Sequence, residues 1–118
     1  MRPGEDVRQR TKLFALRVMR LVEALPRTRT ADVLGRQLLR SATSVGANYR
    51  AACRGKSRAD FIAKLGIVEE ETDECLYWLE LIAEGGLLQK ERVEDLMQEA
   101  SEIAAITVSS IKTARARN

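Results

Sequence analysis

The sequence predicts an all-α protein, folded as an antiparallel up-down-up-down four-helix bundle. Aromatic residues make up only 4% of the chain, and there are two prolines, at Pro3 and Pro26, neither of which interrupts a long segment. Apolar residues recur at three- and four-residue steps in four segments that short connections separate. Short connections make successive helices antiparallel neighbours. We therefore expect residues 1–118 to form a single four-helix-bundle domain.

The first two helices are predicted over residues 5–25 and 31–54. Pro26 should end the first helix, because the residue before a proline is disfavoured in helical geometry. Thr30 is the predicted N-cap of the second helix, with Asp32 in its first turn. Gly55 should end it.

The third and fourth helices are predicted over residues 58–84 and 90–114. Ser57, followed by Asp60 three residues later, approximates a capping box at the start of the third helix. The spacing of its inward residues is that of a heptad repeat, which is typical of helices packed nearly antiparallel. These residues are Phe61, Leu65, Val68, Thr72, Cys75, Leu79 and Ile82.

The composition argues against an enzyme. The chain has no histidine, so it lacks the usual general base near neutral pH and the common catalytic triads. Its two cysteines, Cys53 and Cys75, are expected to be reduced, buried thiols and are too few for a zinc site without histidine. We expect no cofactor.

The acidic segment at residues 69–74 (EEETDE) must be tested as a metal site. The E-x-x-E and E-x-x-D spacing found in all-helical pyrophosphohydrolases occurs here, at Glu71/Glu74 and Glu70/Asp73, and again at Glu91/Glu94. A metal site in a bundle needs inward carboxylates, whereas Glu70 and Glu74 are predicted to point away from the core. We therefore expect no metal here, and a solvated or interface charge cluster instead.

No apolar run is long enough to span a bilayer, and the first residues lack the apolar core of a signal peptide. The expected location is cytoplasmic, without membrane contact.

Charge is distributed unevenly along the chain, although the formal net charge is only +3. Up to Arg58 there are 14 Lys and Arg residues and 4 Asp and Glu residues, whereas from Ala59 onward there are 6 and 13. The basic half and the acidic half could bind each other within one chain or bind the opposite halves of other copies. Alternatively, the basic half could bind an anionic partner.

The second helix carries arginines on the side opposite its apolar stripe, at 100° per residue. They lack evident acidic partners on their own helix, and the planar guanidinium suits bidentate contacts with phosphate. An ordinary solvated face and a subunit interface with an acidic third helix remain alternatives. The candidate nucleic-acid-binding residues are Arg36, Arg40, Arg50, Arg54, Lys56 and Arg58.

A second candidate surface is an interface between copies of the chain. Gly35 and Gly46 suggest close approach of another backbone, either a neighbouring helix of the same bundle or another subunit. Apolar side chains outside the heptad stripe of the third helix, among several glutamates, often mark an interface. The candidate interface residues are Gly35, Gly46, Ile67, Trp78 and Leu81.

A resemblance to a known family is strongest over residues 37–82. Its most specific stretches are residues 40–45 (RSATSV), 48–50 (NYR), 57–64 (SRADFIAK) and 74–81 (ECLYWLEL). The chain resembles the four-helix-bundle proteins encoded within intervening sequences of bacterial 23S ribosomal RNA genes. This resemblance implies a ring-like homopentamer. The family is also similar to the accessory protein of diversity-generating retroelements, a basic pentameric bundle that binds nucleic acid and a reverse transcriptase.

The leading hypothesis is a non-enzymatic homo-oligomer that binds nucleic acid through the basic face of the second helix. RNA is the expected ligand rather than DNA because of the resemblance, which also makes a reverse transcriptase or another protein a candidate partner. The alternative is an oligomeric adaptor or scaffold whose basic face binds an acidic protein surface.

Overall fold

The structure, a computed structural model, describes residues 4–117 and consists of four α-helices. They are α1 (Glu5–Glu23), α2 (Arg29–Cys53), α3 (Arg58–Glu84) and α4 (Lys90–Ala116). The described residues contain no β-strand, and the predicted four-helix bundle is confirmed. Residues 1–3 and residue 118 of the predicted domain lie outside the described residues.

The helices surround the core in chain order. Each packs against its neighbours in sequence, and α4 returns to contact α1, whereas the diagonal pairs α1/α3 and α2/α4 make no close backbone contact in residues 4–117. The α2/α3 contact is the most extensive and the α1/α4 contact the least. The bundle measures 50 × 24 × 19 Å. This arrangement is the up-down-up-down order that short connections favour.

The bounds of α3 agree with the prediction. The Ser57 hydroxyl accepts a hydrogen bond from the backbone N–H of Asp60 at 3.1 Å, and the Asp60 carboxylate accepts one from the backbone N–H of Lys56 at 3.1 Å. The Ser57 hydroxyl therefore satisfies one orphan donor of the first turn, while the Asp60 carboxylate bonds to the N–H one residue before the N-cap, so the arrangement only approximates a capping box.

The connection between α1 and α2 differs from the prediction. Helix α1 ends at Glu23, because the next two backbone N–H groups bond to Leu21 and Val22 in a tighter turn before Pro26. Thr28 caps α2 instead of Thr30, and its hydroxyl accepts from the N–H of Ala31 at 3.1 Å. Either threonine satisfies the sequence pattern, and the length of the turn after Pro26 selects the first.

One continuous core contains residues from all four helices. Six of the seven predicted inward positions of α3 are buried, and Phe61 at the helix start is half-buried. Complete burial of a large apolar side chain contributes about 1.5–3 kcal/mol, so the buried leucines, valine and isoleucine of this stripe stabilise the fold substantially. The largest fully buried side chains include Phe14, Leu38, Leu65, Leu79, Ile82 and Ile103.

A bidentate ion pair joins α1 and α4, the neighbouring helices with the least extensive contact. Arg10 Nε donates to Glu99 Oε2 at 2.7 Å and Nη2 to Glu99 Oε1 at 2.8 Å, while Nη2 also donates to Glu102. Hydrogen bonds to Glu99 and then Glu102 raise the pKa of Arg10 above its ordinary value. The planar guanidinium of arginine fits this bidentate geometry. The contact therefore holds α1 in a fixed orientation against α4, in addition to the electrostatic attraction between the two helices.

None of the four helices in the described part of the chain is both long enough and apolar enough to cross a lipid bilayer. Within residues 4–117, no three Cys, Asp or Glu side chains are grouped closely enough to hold a metal ion.

Candidate nucleic-acid interface

Two of the predicted phosphate-binding arginines have acidic partners within the chain. Arg36 Nε lies 3.1 Å from Asp32 Oδ2, one helical turn earlier, which corrects the expectation that the arginines of α2 lack acidic partners on their own helix. Arg40 lies 2.8 Å from Glu74 and 3.4 Å from Glu71 of α3. Arg40 therefore contributes to the α2/α3 contact, where the basic half of the chain meets its acidic half.

Glu74, which was predicted to point away from the core, therefore faces α2, and so does Glu71. Glu71 is buried, and Glu74 also accepts a hydrogen bond from the Ser41 hydroxyl at 3.3 Å. Glu70 is exposed, as predicted. The acidic segment is thus divided between an internal contact with α2 and an outer face of α3.

The other four predicted residues remain available to an anion. Arg50, Arg54, Lys56 and Arg58 are exposed, and none forms a salt bridge within residues 4–117. They lie at the end of α2 and in the turn into α3.

The fold adds cations that the sequence reasoning did not assign to this site. Phe61 at the start of α3 and Arg117 at the end of α4 line the same surface pocket. The basic C-terminus of α4, with Lys112, Arg115 and Arg117, therefore lies at the same end of the bundle as the α2–α3 turn. Its positive charges also suit the dipole of the helix. The predicted antiparallel order contained this information, because it places the end of α4 beside the start of α3.

A groove between α1 and α2 extends this positive surface along the bundle. It has a volume of about 380 Å³, with Ala15, Gly46 and Ala47 among its small lining residues. Lys12 and Arg50 also line it and form no salt bridge within residues 4–117. We call the cations around the α2–α3 turn, the end of α4 and this groove the basic end: Lys12, Arg50, Arg54, Lys56, Arg58, Lys112, Arg115 and Arg117.

Charge differs strongly between the two ends of the bundle. Residues 4–12, 50–64 and 110–117 contain eleven Lys and Arg residues and three Asp and Glu residues. Residues 17–36 and 76–96, at the opposite end, contain seven of each. One end therefore attracts anions, whereas the other is balanced.

The two glycines of the predicted subunit interface lie against α1 of the same chain. Gly35 is buried, and a Cβ added there would lie 3.0 Å from Leu25 Cδ1 and 3.3 Å from Val22 Cγ1. At Gly46 the nearest atoms are those of Thr11, at 3.6 Å. Close packing against Val22 and Leu25 accounts for Gly35, whereas a Cβ at Gly46 would make only ordinary contact with Thr11. A role of either glycine between subunits stays a prediction.

The α3 residues of the predicted interface differ in exposure. Ile67 is 41% exposed, whereas Leu81 and Trp78 are half-buried, and Trp78 packs against the core. Tyr77, which the sequence reasoning did not select, is 54% exposed and meets the Trp78 ring edge-to-face at 5.1 Å. The exposed aromatic is therefore Tyr77, because Trp78 lies closer to the core stripe around the helix.

The expectation of two buried thiols is correct only for Cys75. Burial, followed by the nearby charges of Glu71 and Glu74, raises the pKa of Cys75 to about 12. Cys53 is exposed at the end of α2. Beside it, burial and then the Cys53 thiol raise the pKa of Tyr49 to about 12.

A family model for the 23S rRNA-intervening sequence protein matches residues 5–109. The chain belongs to this family. A crystal structure of a protein of unknown function from the S23 ribosomal protein family of Bacteroides thetaiotaomicron VPI-5482 shares 39% identity and superimposes with a TM-score of 0.84. The alignment covers 90% of this chain and 98% of the other. No curated protein matches the chain.

The match to the 23S rRNA-intervening sequence protein family includes α1, α2, α3 and most of α4. The cations of the α2–α3 turn lie within it, whereas Lys112, Arg115 and Arg117 follow its last matched residue. The basic end thus combines residues from the matched segment with residues beyond it.

Proposed function

We propose that this protein is a non-enzymatic homo-oligomer that binds the phosphate backbone of nucleic acid through its basic end, with RNA as the expected ligand. The concentration of unpaired cations at one end of the bundle carries this proposal. It moves the predicted contact surface from the whole face of α2 to the end where α2, α3 and α4 meet.

The chemistry of this end favours phosphates over bases. Arg50, Arg54 and Arg58 can each present a planar fork to phosphate oxygens, and Lys56 adds a point charge. The aromatic residues nearest these cations in sequence are Tyr49, which is buried, and Phe61, which is half-buried. Without an exposed aromatic platform for stacking, we expect sequence-tolerant binding that weakens steeply as salt is added.

Self-association would multiply a modest charge on each chain. Several basic ends held in one assembly contact a long nucleic acid together, which raises the apparent affinity without any new contact. The family resemblance gives five as the expected number of copies, and RNA as the preferred nucleic acid.

The test compares two triple variants with equal charge change. Arg54→Glu/Lys56→Glu/Arg58→Glu alters the basic end, whereas Arg27→Glu/Arg29→Glu/Arg36→Glu alters exposed cations at the opposite end. Fluorescence anisotropy with labelled single-stranded RNA and DNA of mixed sequence, at several salt concentrations, measures binding. We expect the first variant to bind at least about tenfold more weakly at low salt and the second to remain close to wild type.

Light scattering of the same samples checks that the assembly is unchanged. Equal losses in both triple variants would indicate a dependence on total charge and contradict a site at the basic end. Wild-type protein that bound neither RNA nor DNA at low salt would overturn the proposal, in favour of an acidic protein surface as the partner.

A further inference from the structure

Five of the six exposed large apolar side chains in residues 4–117 lie on α1 and α3, which make no close backbone contact with each other, and the sixth is Val33 of α2. On α1, Leu13, Leu16 and Met19 are 56%, 44% and 47% exposed. On α3, Ile67 and Tyr77 are exposed. No large apolar side chain of α4 is exposed in the described part of the chain. Clusters of this kind on a small protein often mark an interaction surface.

The same two helices carry charges of opposite sign. Residues 7–22 of α1 contain five basic residues and no acidic residue: Arg8, Arg10, Lys12, Arg17 and Arg20. Residues 65–84 of α3 contain seven acidic residues and no basic residue: Glu69, Glu70, Glu71, Asp73, Glu74, Glu80 and Glu84.

Only some of these charged residues form ion pairs within the chain. Arg8 and Arg10 of α1 form salt bridges with carboxylates of the same chain, and Glu71 and Glu74 of α3 form salt bridges with Arg40 of α2. The remaining cations of α1 and carboxylates of α3 form no salt bridge within residues 4–117: Lys12, Arg17, Arg20, Glu69, Glu70, Asp73, Glu80 and Glu84.

We propose that the outer face of α1 in one copy packs on the outer face of α3 in the next copy. This inference rests on the self-association in the proposed function and names the surfaces that produce it. The exposed leucines and Met19 would lie against Ile67 and Tyr77, with Lys12 and Arg20 facing the carboxylates of α3. Contacts of α1 with α1, or of α3 with α3, would place like charges together and are disfavoured.

The position of the two faces determines the kind of assembly. Because α1 and α3 are diagonal in the bundle, their outer faces point in opposite directions and one chain cannot satisfy its own pair. A contact between different faces is heterologous, so it adds copies head to tail until a ring closes. The apolar residues lie in the middle parts of α1 and α3, which leaves the α2–α3 turn and the end of α4 free.

Charge exchange tests this arrangement. Lys12→Glu/Arg20→Glu reverses the face of α1, and Glu70→Lys/Asp73→Lys reverses that of α3. Sedimentation velocity at fixed micromolar concentration should show association at least about tenfold weaker for each pair. All four substitutions in one chain restore complementarity, so that chain should assemble again. Lys90→Glu/Arg92→Glu on α4 is the matched control and should assemble as the wild type does.

Leu16→Ser provides a second test that leaves the charge unchanged and alters an exposed position. Its association should weaken while its helical circular dichroism is retained. An α1 charge variant that assembled normally, or a folded fourfold variant that stayed dissociated, would refute the α1–α3 contact. RNA binding through the basic end would still stand in either case, because its test uses different residues. A monomeric wild type would refute both this contact and the oligomeric part of the proposed function.

Discussion

Single side chains in this protein differ sharply in what surrounds them, as the two cysteines illustrate. We predict that one thiol per native chain reacts rapidly with a disulfide reagent and that two react after unfolding. Cys53 is exposed, whereas Cys75 is buried and its pKa of about 12 keeps it protonated near neutral pH. A Cys53→Ser variant should show almost no rapid reaction. Rapid reaction of both thiols in the folded wild type would contradict the burial of Cys75.

Arg10 joins α1 to α4 through hydrogen bonds to two glutamates. Arg10→Ala should lower the free energy of unfolding by about 1–2 kcal/mol, because two well-aligned bonds to Glu99 and a third to Glu102 are lost. Urea denaturation measures this change. Lys90→Ala removes a more exposed pair with Glu94 at 3.6 Å, and should cost less than about 0.5 kcal/mol. Equal losses would show that the geometry of Arg10 adds nothing.

At the scale of the element, the turn from α2 into α3 combines a helix cap with a charged network. Ser57→Ala should destabilise the protein by about 1 kcal/mol through loss of the bond to the Asp60 N–H. The hydrogen bond from Lys64, followed by that from the Lys56 N–H, lowers the pKa of Asp60 below its ordinary value of 3.8. Its stabilising contribution is therefore complete above that value and is lost as the pH falls through the lowered pKa.

The pH dependence of unfolding checks this effect. Urea denaturation from neutral pH to below 3.8 should show a shallower acid loss of stability for Asp60→Asn than for the wild type. Lys64→Met removes the main cause of the lowered pKa and should change the acid limb in the same direction. An unaltered acid limb in both variants would exclude Asp60 as a contributor.

The helices themselves differ in how well the sequence predicted them. The bounds of α3 were predicted correctly, because a serine cap and two glycines enclose a regular heptad stripe. The start of α2 was predicted two residues late, since Thr28 and Thr30 are both adequate caps and the turn after Pro26 decides between them. The sequence also predicted Trp78 as the exposed aromatic residue of α3, whereas its position beside the core stripe leaves it half-buried and Tyr77 exposed.

At the scale of the whole molecule, the up-down-up-down order of the helices determines where the basic residues and the exposed apolar residues lie on the surface. It brings the end of α4 beside the α2–α3 turn, and so forms a basic end from segments far apart in sequence. It also places α1 and α3 on opposite sides, each with apolar residues exposed. The basic end and the proposed subunit contact share Lys12, which lines the groove between α1 and α2, but otherwise occupy separate parts of the surface. Variants of the α2–α3 turn and of the outer face of α3 should therefore act independently.

The sequence alone determined the helical class, the four segments, the buried stripes and the uneven charge, because each of these depends on periodicity and composition within one helix. It also carried the family resemblance, which the match over residues 5–109 confirms. The partners of individual charges were decided only by tertiary structure. Arg40 proved to be bound to α3, whereas Arg54 and Arg58 have no salt bridge in residues 4–117. Whether an arginine of α2 meets a carboxylate of α3 depends on the rotation and register of the two helices against each other. Core packing determines these two quantities, and periodicity within a single helix does not specify them.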